Sequence, residues 1–219
     1  MKKIALVFTG DEYADGGEFI HQALLKQKVS ASFFFTGRFY RNPGFRPLIS
    51  RLRSAGHYLG AHSNEHLLYC DWTRRDSLLV NELQFKTDLL DNYAEMTAFG
   101  IQKNEAHYFL PPYEWYNDTI SQWTKDLGFQ LVNFTPGTLS HADYTLPTEK
   151  NYRGSRKIYE SILNFEKSSS PGLNGFILLM HIGTHPGRTD KFYKELPGLI
   201  QWLRSKAYEP VRIDELLQD

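Results

Sequence analysis

The 219-residue sequence contains a single cysteine, Cys70, so no disulfide can form within the chain. Cysteine usage therefore carries little information about the compartment in which the protein works. An excess of charge is also missing, because 25 basic residues balance 25 acidic ones. Without a basic block, neither a nucleic acid nor an anionic membrane is expected as a partner.

Long apolar runs are equally absent, and no stretch reaches the ~18 residues that a membrane-spanning helix needs. Two lysines and the short apolar run 4–8 resemble the start of a signal peptide. That run is too short, and Asp11 and Glu12 follow it where a cleavage site would be, so it predicts a first β-strand. A secreted protein whose leader has been removed is still compatible with this sequence.

Hydrophobic residues make up 41% of the chain and aromatic residues 15%, as in folded globular proteins. Apolar runs predict seven strands, at residues 4–8, 29–35, 57–61, 107–110, 129–134, 175–180 and 210–213. Helical periodicity predicts helices at residues 18–28, 43–55, 72–97 (one long helix or two shorter ones), 118–127, 155–167 and 192–206. Residues 135–151 are predicted to form a polar loop. Alternating strands and helices indicate parallel βα units, as a barrel or a doubly wound sheet, in one domain spanning residues 1–219.

Two histidines, His62 and His66, lie four residues apart directly after the predicted strand 57–61. On a helical turn such residues share a face, so both imidazoles would point at one spot. Two neutral imidazoles suit a divalent metal such as Zn²⁺, provided that a carboxylate completes the site. The alternative is a chance pair of surface or capping histidines, since the chain has 8 histidines.

Active sites of both predicted architectures gather at the carboxyl ends of the strands. The polar residues expected there are Asp11, Glu12, Asp15, His62, His66, Tyr113, Glu114, Thr135, His181 and His185. One carboxylate and two histidines suffice for a three-ligand metal site that binds water and polarises a carbonyl. His181 directly follows the strand 175–180, where it would either give a proton to a leaving group or serve as a capping or core histidine.

Four segments, in order, resemble the motifs of polysaccharide deacetylases (carbohydrate esterase family 4). They are ASFFFTG at 31–37, HSNEH at 62–66, LPPY at 110–113 and LLMH at 178–181. The resemblance covers nearly the whole chain and implies a distorted (β/α) barrel, usually of seven strands. It also implies a hydrolase that removes N- or O-acetyl groups from a carbohydrate with a divalent metal, most often Zn, with Ni, Co or Mn as alternatives. An extracytoplasmic location is compatible with it.

The resemblance also implies roles for individual residues. Asp11, His62 and His66 would hold the metal, and a metal-bound water would attack the acetyl carbonyl. His181 would be the general acid, and the backbone amide of Tyr113 would help to bind the oxyanion.

The first family motif, Thr-Phe-Asp-Asp-Gly, is not reproduced. Aligning it places Gly10 where the catalytic base belongs and Asp11 at the ligand position; a register shifted by one makes Asp11 the base and Glu12 the ligand. The arginine that pairs with the base in the family is replaced by Leu110, so the two charges are missing together. Replacement bases are Glu12, Asp15 and Glu114, unless the metal-bound water works without one.

The fourth family motif also lacks its aspartate, and either Asp143 or Asp190 could support His181 instead. Trp115 and Tyr116 would stack on a sugar ring or fill the space between helices. A last group either lines the same mouth or forms a solvated loop: His185, Arg188 and Asp190.

Two other functions remain compatible with these residues. One is a catalytically impaired glycan-binding domain on the same scaffold, and the other is a metallohydrolase acting on small amides. The sequence specifies neither the sugar, nor N- against O-acetyl, nor the oligomeric state.

Overall fold

The computed structural model describes residues 2–218, which form two compact units. Unit 1 comprises residues 2–33, 54–58 and 134–218, and unit 2 comprises residues 34–53 and 59–133. The strands are β1 (Lys2–Gly10), β2 (Ser32–Phe35), β3 (Tyr58–Ala61), β4 (Tyr108–Phe109), β5 (Gln130–Leu131), β6 (Phe176–His181) and β7 (Tyr208–Val211). The helices are α1 (Gly17–Gln27), α2 (Gly37–Arg41), α3 (Arg46–Ser54), α4 (Glu82–Thr97), α5 (Asp118–Asp126), α6 (Ser155–Ser168), α7 (Leu196–Ser205) and α8 (Ile213–Leu216). The predicted α/β class and the seven strands are confirmed.

In unit 1, β1 pairs in parallel with both β6 and β7. In the β1–β6 pair, Ile4 lies opposite Phe176 and Thr9 opposite His181, so β1 and β6 end at the same edge of the sheet. All five residues of the apolar run 4–8 are fully buried. Such an unbroken run is typical of a parallel strand that is covered on both faces.

In unit 2, β3 pairs in parallel with β4, and β4 with β5. The last two strands have only two residues each, shorter than predicted. Pro111 and Pro112 follow Leu110 and have no N–H to donate, which ends the β4 ladder at Phe109.

The predicted helix at 72–97 begins only at Glu82, so its first third is wrong. Asn81 caps α4 by accepting a hydrogen bond from Gln84 N–H at 2.9 Å, and Gln84 reciprocates, which fixes the start of the helix there. The short helix α2 was not predicted; Thr36 caps it through Phe39 N–H at 3.1 Å. No helix within residues 2–218 has the length and hydrophobicity needed to cross a bilayer.

Candidate active site

The segment that carries His62 and His66 follows β3 in unit 2, but it is not the helical turn that the spacing predicted. Ser63 and His66 adopt left-handed backbone angles, with φ of 72° and 54°. These bends nevertheless bring the two imidazole rings together, with centroids 5.1 Å apart at an interplanar angle of 57°. A hydrogen bond from His66 N–H to Ser63 Oγ (2.8 Å) closes the turn.

The ring of His62 is held in one orientation and one tautomer. Its Nδ1 lies 2.8 Å from the carbonyl oxygen of Leu110, just beyond β4. Because a carbonyl oxygen can only accept, Nδ1 carries a hydrogen, and in the neutral imidazole the lone pair is then on Nε2. A histidine that ligates a metal through Nε2 needs this arrangement. His62 is only 2% exposed.

Two buried polar residues of α4, Asp88 and Asn92, anchor the histidine segment, and neither was expected from the sequence. Asn92 Oδ1 accepts from His62 N–H at 2.9 Å, and Asp88 Oδ1 accepts from Glu65 N–H at 2.9 Å. Asp88 also accepts from the Tyr69 hydroxyl at 2.6 Å. Burial and this carboxylate raise the pKa of Tyr69 well above its usual value. A recognisable signal existed: both residues interrupt the apolar stripe of α4 four positions apart.

Tyr113 follows β4 with an unusual backbone conformation. Its φ and ψ are 58° and 9°, and Glu114 follows with φ of 54°. Two successive left-handed residues without glycine are strained, and such strain tends to concentrate at functional sites. The Tyr113 ring lies 4.4 Å from the ring of His66, so this segment and the histidines form one cluster in unit 2.

Trp115 and Tyr116 are half-buried beside this cluster. The guanidinium of Arg75 lies over Trp115 at 4.3 Å and over Tyr116 at 5.4 Å. The indole N–H of Trp115 donates to the Asp71 carbonyl at 3.2 Å. Sugar stacking on these two rings stays a prediction, since the structure gives them protein partners of their own.

In unit 1, His181 ends β6 and is held by Asp143. Its Nδ1 lies 2.6 Å from Asp143 Oδ1, and its backbone N–H donates to Oδ2 at 3.0 Å. Asp143 is 2% exposed, which makes this a strong contact between a histidine and a buried carboxylate. Asp190, the other candidate partner, instead accepts from Ser155 N–H at 2.6 Å and from the Tyr152 hydroxyl at 3.1 Å.

The loop after β1 carries the three acidic candidates. Asp11 directly follows the end of β1, beside the end of β6, because Ile182 N–H donates to the Thr9 carbonyl at 2.9 Å. Asp15 is occupied by an ion pair with Lys191 (2.9 Å) and by Thr184 N–H (2.8 Å). These partners tie it to the segment after β6 and argue against a role as base.

Glu12 is exposed to solvent in the same loop. Desolvation and the Glu12 carboxylate raise the pKa of Tyr13. The Tyr13 ring lies 5.8 Å from that of His185, which is also exposed.

Arg188 was expected to line the mouth of the active site or to belong to a solvated loop, and both expectations are wrong. It is fully buried and donates to the carbonyls of Thr145 (2.6 Å) and Arg153 (2.9 Å). Its guanidinium lies 5.2 Å from the ring centroid of Tyr152. This arginine therefore holds together the 145–153 part of unit 1.

The described residues include no ready-made group of three or more His, Cys, Asp or Glu side chains that could hold a metal ion. What the structure provides in unit 2 is the pair of imidazoles. A third ligand therefore stays a prediction.

The family model described as polysaccharide deacetylase matches residues 2–132, more than half of the chain. The chain belongs to the polysaccharide deacetylase family. No curated protein matches it.

Solved structures of the family share its fold. The Xyl-CE4 domain of a multidomain xylanase from the hindgut metagenome of Trinervitermes trinervoides is 21% identical, with a TM-score of 0.73 over 98% of this chain and 89% of that one. A family 4 acetyl xylan esterase from Clostridium thermocellum, in complex with a cobalt ion, is 22% identical, with a TM-score of 0.72 over 98% and 90%. A CE4 family pseudoenzyme from Bacillus anthracis is 19% identical, with a TM-score of 0.73 over 99% and 66%. These similarities confirm the distorted (β/α) barrel fold class.

Proposed function

We propose that this member of the polysaccharide deacetylase family is a metal-dependent hydrolase that removes acetyl groups, N- or O-linked, from a carbohydrate. The observation that carries the proposal is the hydrogen bond between His62 Nδ1 and the Leu110 carbonyl, 2.8 Å long. It leaves Nε2 as a metal-ligating atom beside the second imidazole of His66, in the motif that the family uses for its metal.

The metal would be held by His62 and His66, with Asp11 as the third ligand that the family resemblance implies. Imidazole nitrogen and carboxylate oxygen together suit zinc first, and nickel, cobalt or manganese as alternatives. A bound divalent ion would polarise the acetyl carbonyl and lower the pKa of a water molecule. Asp88 and Asn92 would fix the segment on which both histidines lie, as outer partners of metal ligands commonly do.

His181 would act as the general acid. Because Asp143 accepts from Nδ1 at 2.6 Å, the second ring nitrogen, Nε2, is the one that can carry a proton to the leaving group. The buried carboxylate also stabilises the imidazolium form that must exist before the proton is released.

Tyr113 would contribute its backbone N–H to the developing oxyanion. Such donors are effective when they are fixed in advance, and the left-handed segment of residues 113 and 114 is tied down by the hydrogen bond from Asn133 Nδ2 to the Glu114 carbonyl (2.9 Å). The base would be Glu12 or Glu114, since Asp15 is held by Lys191. Trp115, Tyr116 and His185 stay candidates for contacts with the sugar.

A second function is favoured by one specific observation. In the register that makes Asp11 the metal ligand, the base position of the family carries Gly10, and the position of its arginine partner carries Leu110; only the register shifted by one leaves a carboxylate, Asp11, at the base position. Loss of a general base lowers a rate by about 10²- to 10⁴-fold. A glycan-binding domain with impaired catalysis is therefore the alternative on the same scaffold.

Metal content and acetate release separate the two functions. The protein is loaded with Zn²⁺ or Co²⁺, its metal stoichiometry is measured, and acetate release is followed from the N-acetylglucosamine tetramer, acetylated xylotetraose and an aryl acetate. Release that is lost in both His181→Ala and His62→Ala, with metal lost only in His62→Ala, is the expected result. Stoichiometric metal without turnover of any of these substrates would favour the binding domain, and failure to bind metal would refute the proposed function.

A further inference from the structure

Trp72 contacts the aromatic residues of the candidate site and has no role in the proposed mechanism. The residue is 55% exposed and lies in the irregular loop between Tyr69 and Asn81. Its ring contacts Tyr113 (5.5 Å between centroids, 78°) and Trp115 (5.7 Å, 33°). Through Tyr113 it is one ring away from His66.

The loop around Trp72 is fixed internally. The Asp71 carboxylate accepts from the Thr73 hydroxyl at 2.7 Å and from the backbone N–H groups of Arg74 and Thr73, both at 2.8 Å, and these hydrogen bonds lower the pKa of Asp71 to about 2. Asp71 N–H donates to the Ser77 carbonyl at 2.9 Å, and a β-bridge joins Cys70 to Leu78. The backbone on both sides of Trp72 is therefore held in place.

The same loop is also attached to the segment that carries Tyr113. Trp115 Nε1 donates to the Asp71 carbonyl (3.2 Å), Arg75 Nε donates to the Tyr116 carbonyl (2.5 Å), and Asn117 Nδ2 donates to the Arg75 carbonyl (3.1 Å). The backbone that carries the indole is thus tied to the segment of Tyr113, and the ring contacts with Tyr113 and Trp115 orient the indole, while more than half of the residue stays open to solvent. Holding an apolar ring in water in this way stabilises nothing by itself, but it removes the ordering cost of binding.

We propose that Trp72 is the platform on which a sugar ring of the glycan stacks, adjacent to the sugar that bears the acetyl group. One face of a pyranose carries mainly C–H groups, which pack against an aromatic face as apolar surface does. The position is continuous with His66 and Tyr113, so the platform selects oligosaccharides over single sugars. The inference rests on the proposed function, because it takes the glycan of that function as the occupant.

The test measures binding of two products that cannot be turned over, the glucosamine tetramer and xylotetraose, to the metal-loaded protein by calorimetry. Trp72→Ala is expected to weaken binding of at least one tetramer by about three- to tenfold, and Trp72→Phe, which keeps a ring, by less. Leu79→Ala is the matched control, since Leu79 is 52% exposed in the same loop. This variant removes apolar surface of similar exposure and keeps the Trp72 indole, so it should bind like the wild type.

Acetate release from mono- to tetrasaccharides, measured in parallel, separates this inference from the proposed function. The wild type should gain in kcat/KM with chain length, and Trp72→Ala should flatten that gain. Binding that depends on Trp72 without any acetate release would support the platform and refute the hydrolase. Acetate release with tetramer binding equal in Trp72→Ala and Leu79→Ala, or no binding by the wild type, would overturn the platform.

Discussion

Two histidines of unit 1 lie at opposite ends of strands and have opposite kinds of partner. His181 closes β6 at its carboxyl end and contacts the Asp143 carboxylate at 2.6 Å. His57 precedes β3 at its amino end, where its Nδ1 accepts from Ala31 N–H at 3.2 Å. Its ring faces that of His21, 6.3 Å away at 86°. Burial, then His21 and Arg212, lower the pKa of His57 to about 4.

The difference shows how the same side chain serves two purposes. A buried carboxylate stabilises the imidazolium, so His181 can carry a proton and release it. His57 meets another imidazole and a guanidinium, so it stays neutral and contributes packing and one hydrogen bond. The contrast follows the general division of (β/α) barrels, in which the carboxyl ends of the strands carry chemistry and the amino ends carry stability.

The largest expected effect comes from removing the Asp143 carboxylate, the partner that His181 has and His57 lacks. Asp143→Asn should lower kcat for acetate release by about 10²- to 10⁴-fold, because the acid loses the group that orients and charges it. Asp190→Asn is the matched control, since Asp190 bonds to Ser155 and Tyr152 instead. An equal loss of kcat in both variants would mean that Asp143 has only a structural role.

The second effect concerns His57 and the pH dependence of stability. Above pH 6.5 this imidazole is neutral in both states; as the pH falls, the unfolded chain takes up a proton that the native protein takes up only near pH 4. The free energy of unfolding should therefore decrease between pH 6.5 and about 4, by up to about 3 kcal/mol.

Urea denaturation at pH 7, 5.5 and 4 measures this decrease in the wild type and in His57→Gln. Glutamine cannot titrate, yet its amide oxygen can still accept from Ala31 N–H. The variant should show a shallower decrease, with acetate release at neutral pH unchanged. Parallel curves for the two proteins would assign the pH dependence to other groups.

The third effect isolates backbone strain at the amino end of β3. Gly56 has φ of 78°, and a Cβ atom added there would meet no atom within 4 Å, so Gly56→Ala should cost about 1 kcal/mol of stability through conformation alone. Gly198 is exposed within α7, where alanine favours the helical conformation more than glycine does. Gly198→Ala should therefore stabilise the protein by about 0.5–1 kcal/mol. Thermal denaturation compares both, and a stabilised Gly56→Ala would contradict the strain argument.

Features governed by short-range pattern could be predicted from the sequence. The run 175–180 is apolar throughout, so the strand and the placement of His181 after it followed directly. The start of α4 could not be placed from periodicity, because leucines at 78, 79 and 83 continue the apparent stripe while all but the first are exposed. The Asp71 turn and the Asn81 cap override that pattern.

Choices that depend on distant parts of the chain could not be predicted. Asp143 and Asp190 are equivalent as residue types, and only the packing of the 3₁₀ turn Ser140–Ala142 beside β6 selects the first. Burial of Arg188 is possible because backbone carbonyls accept its hydrogen bonds. Every residue has such a carbonyl, so the sequence does not indicate these partners. The convergence of His62 and His66 was expected for the wrong reason, since left-handed residues and not a helical turn bring the rings together.

The last expected effect concerns backbone strain just beyond the carboxyl end of β4, where Tyr113 has φ of 58°. Tyr113→Ala and Tyr113→Gly both remove the ring that contacts His66 and Trp72, but only glycine also relieves the left-handed conformation. The glycine variant should therefore be the more stable of the two by about 1 kcal/mol, the reverse of the order expected at Gly198 in α7. Chemical denaturation of the three proteins measures this difference, and an alanine variant as stable as the glycine variant would mean that the segment relaxes. If the strain holds the amide for the oxyanion, the more stable glycine variant should also be the slower enzyme, because a flexible backbone no longer fixes that donor in advance.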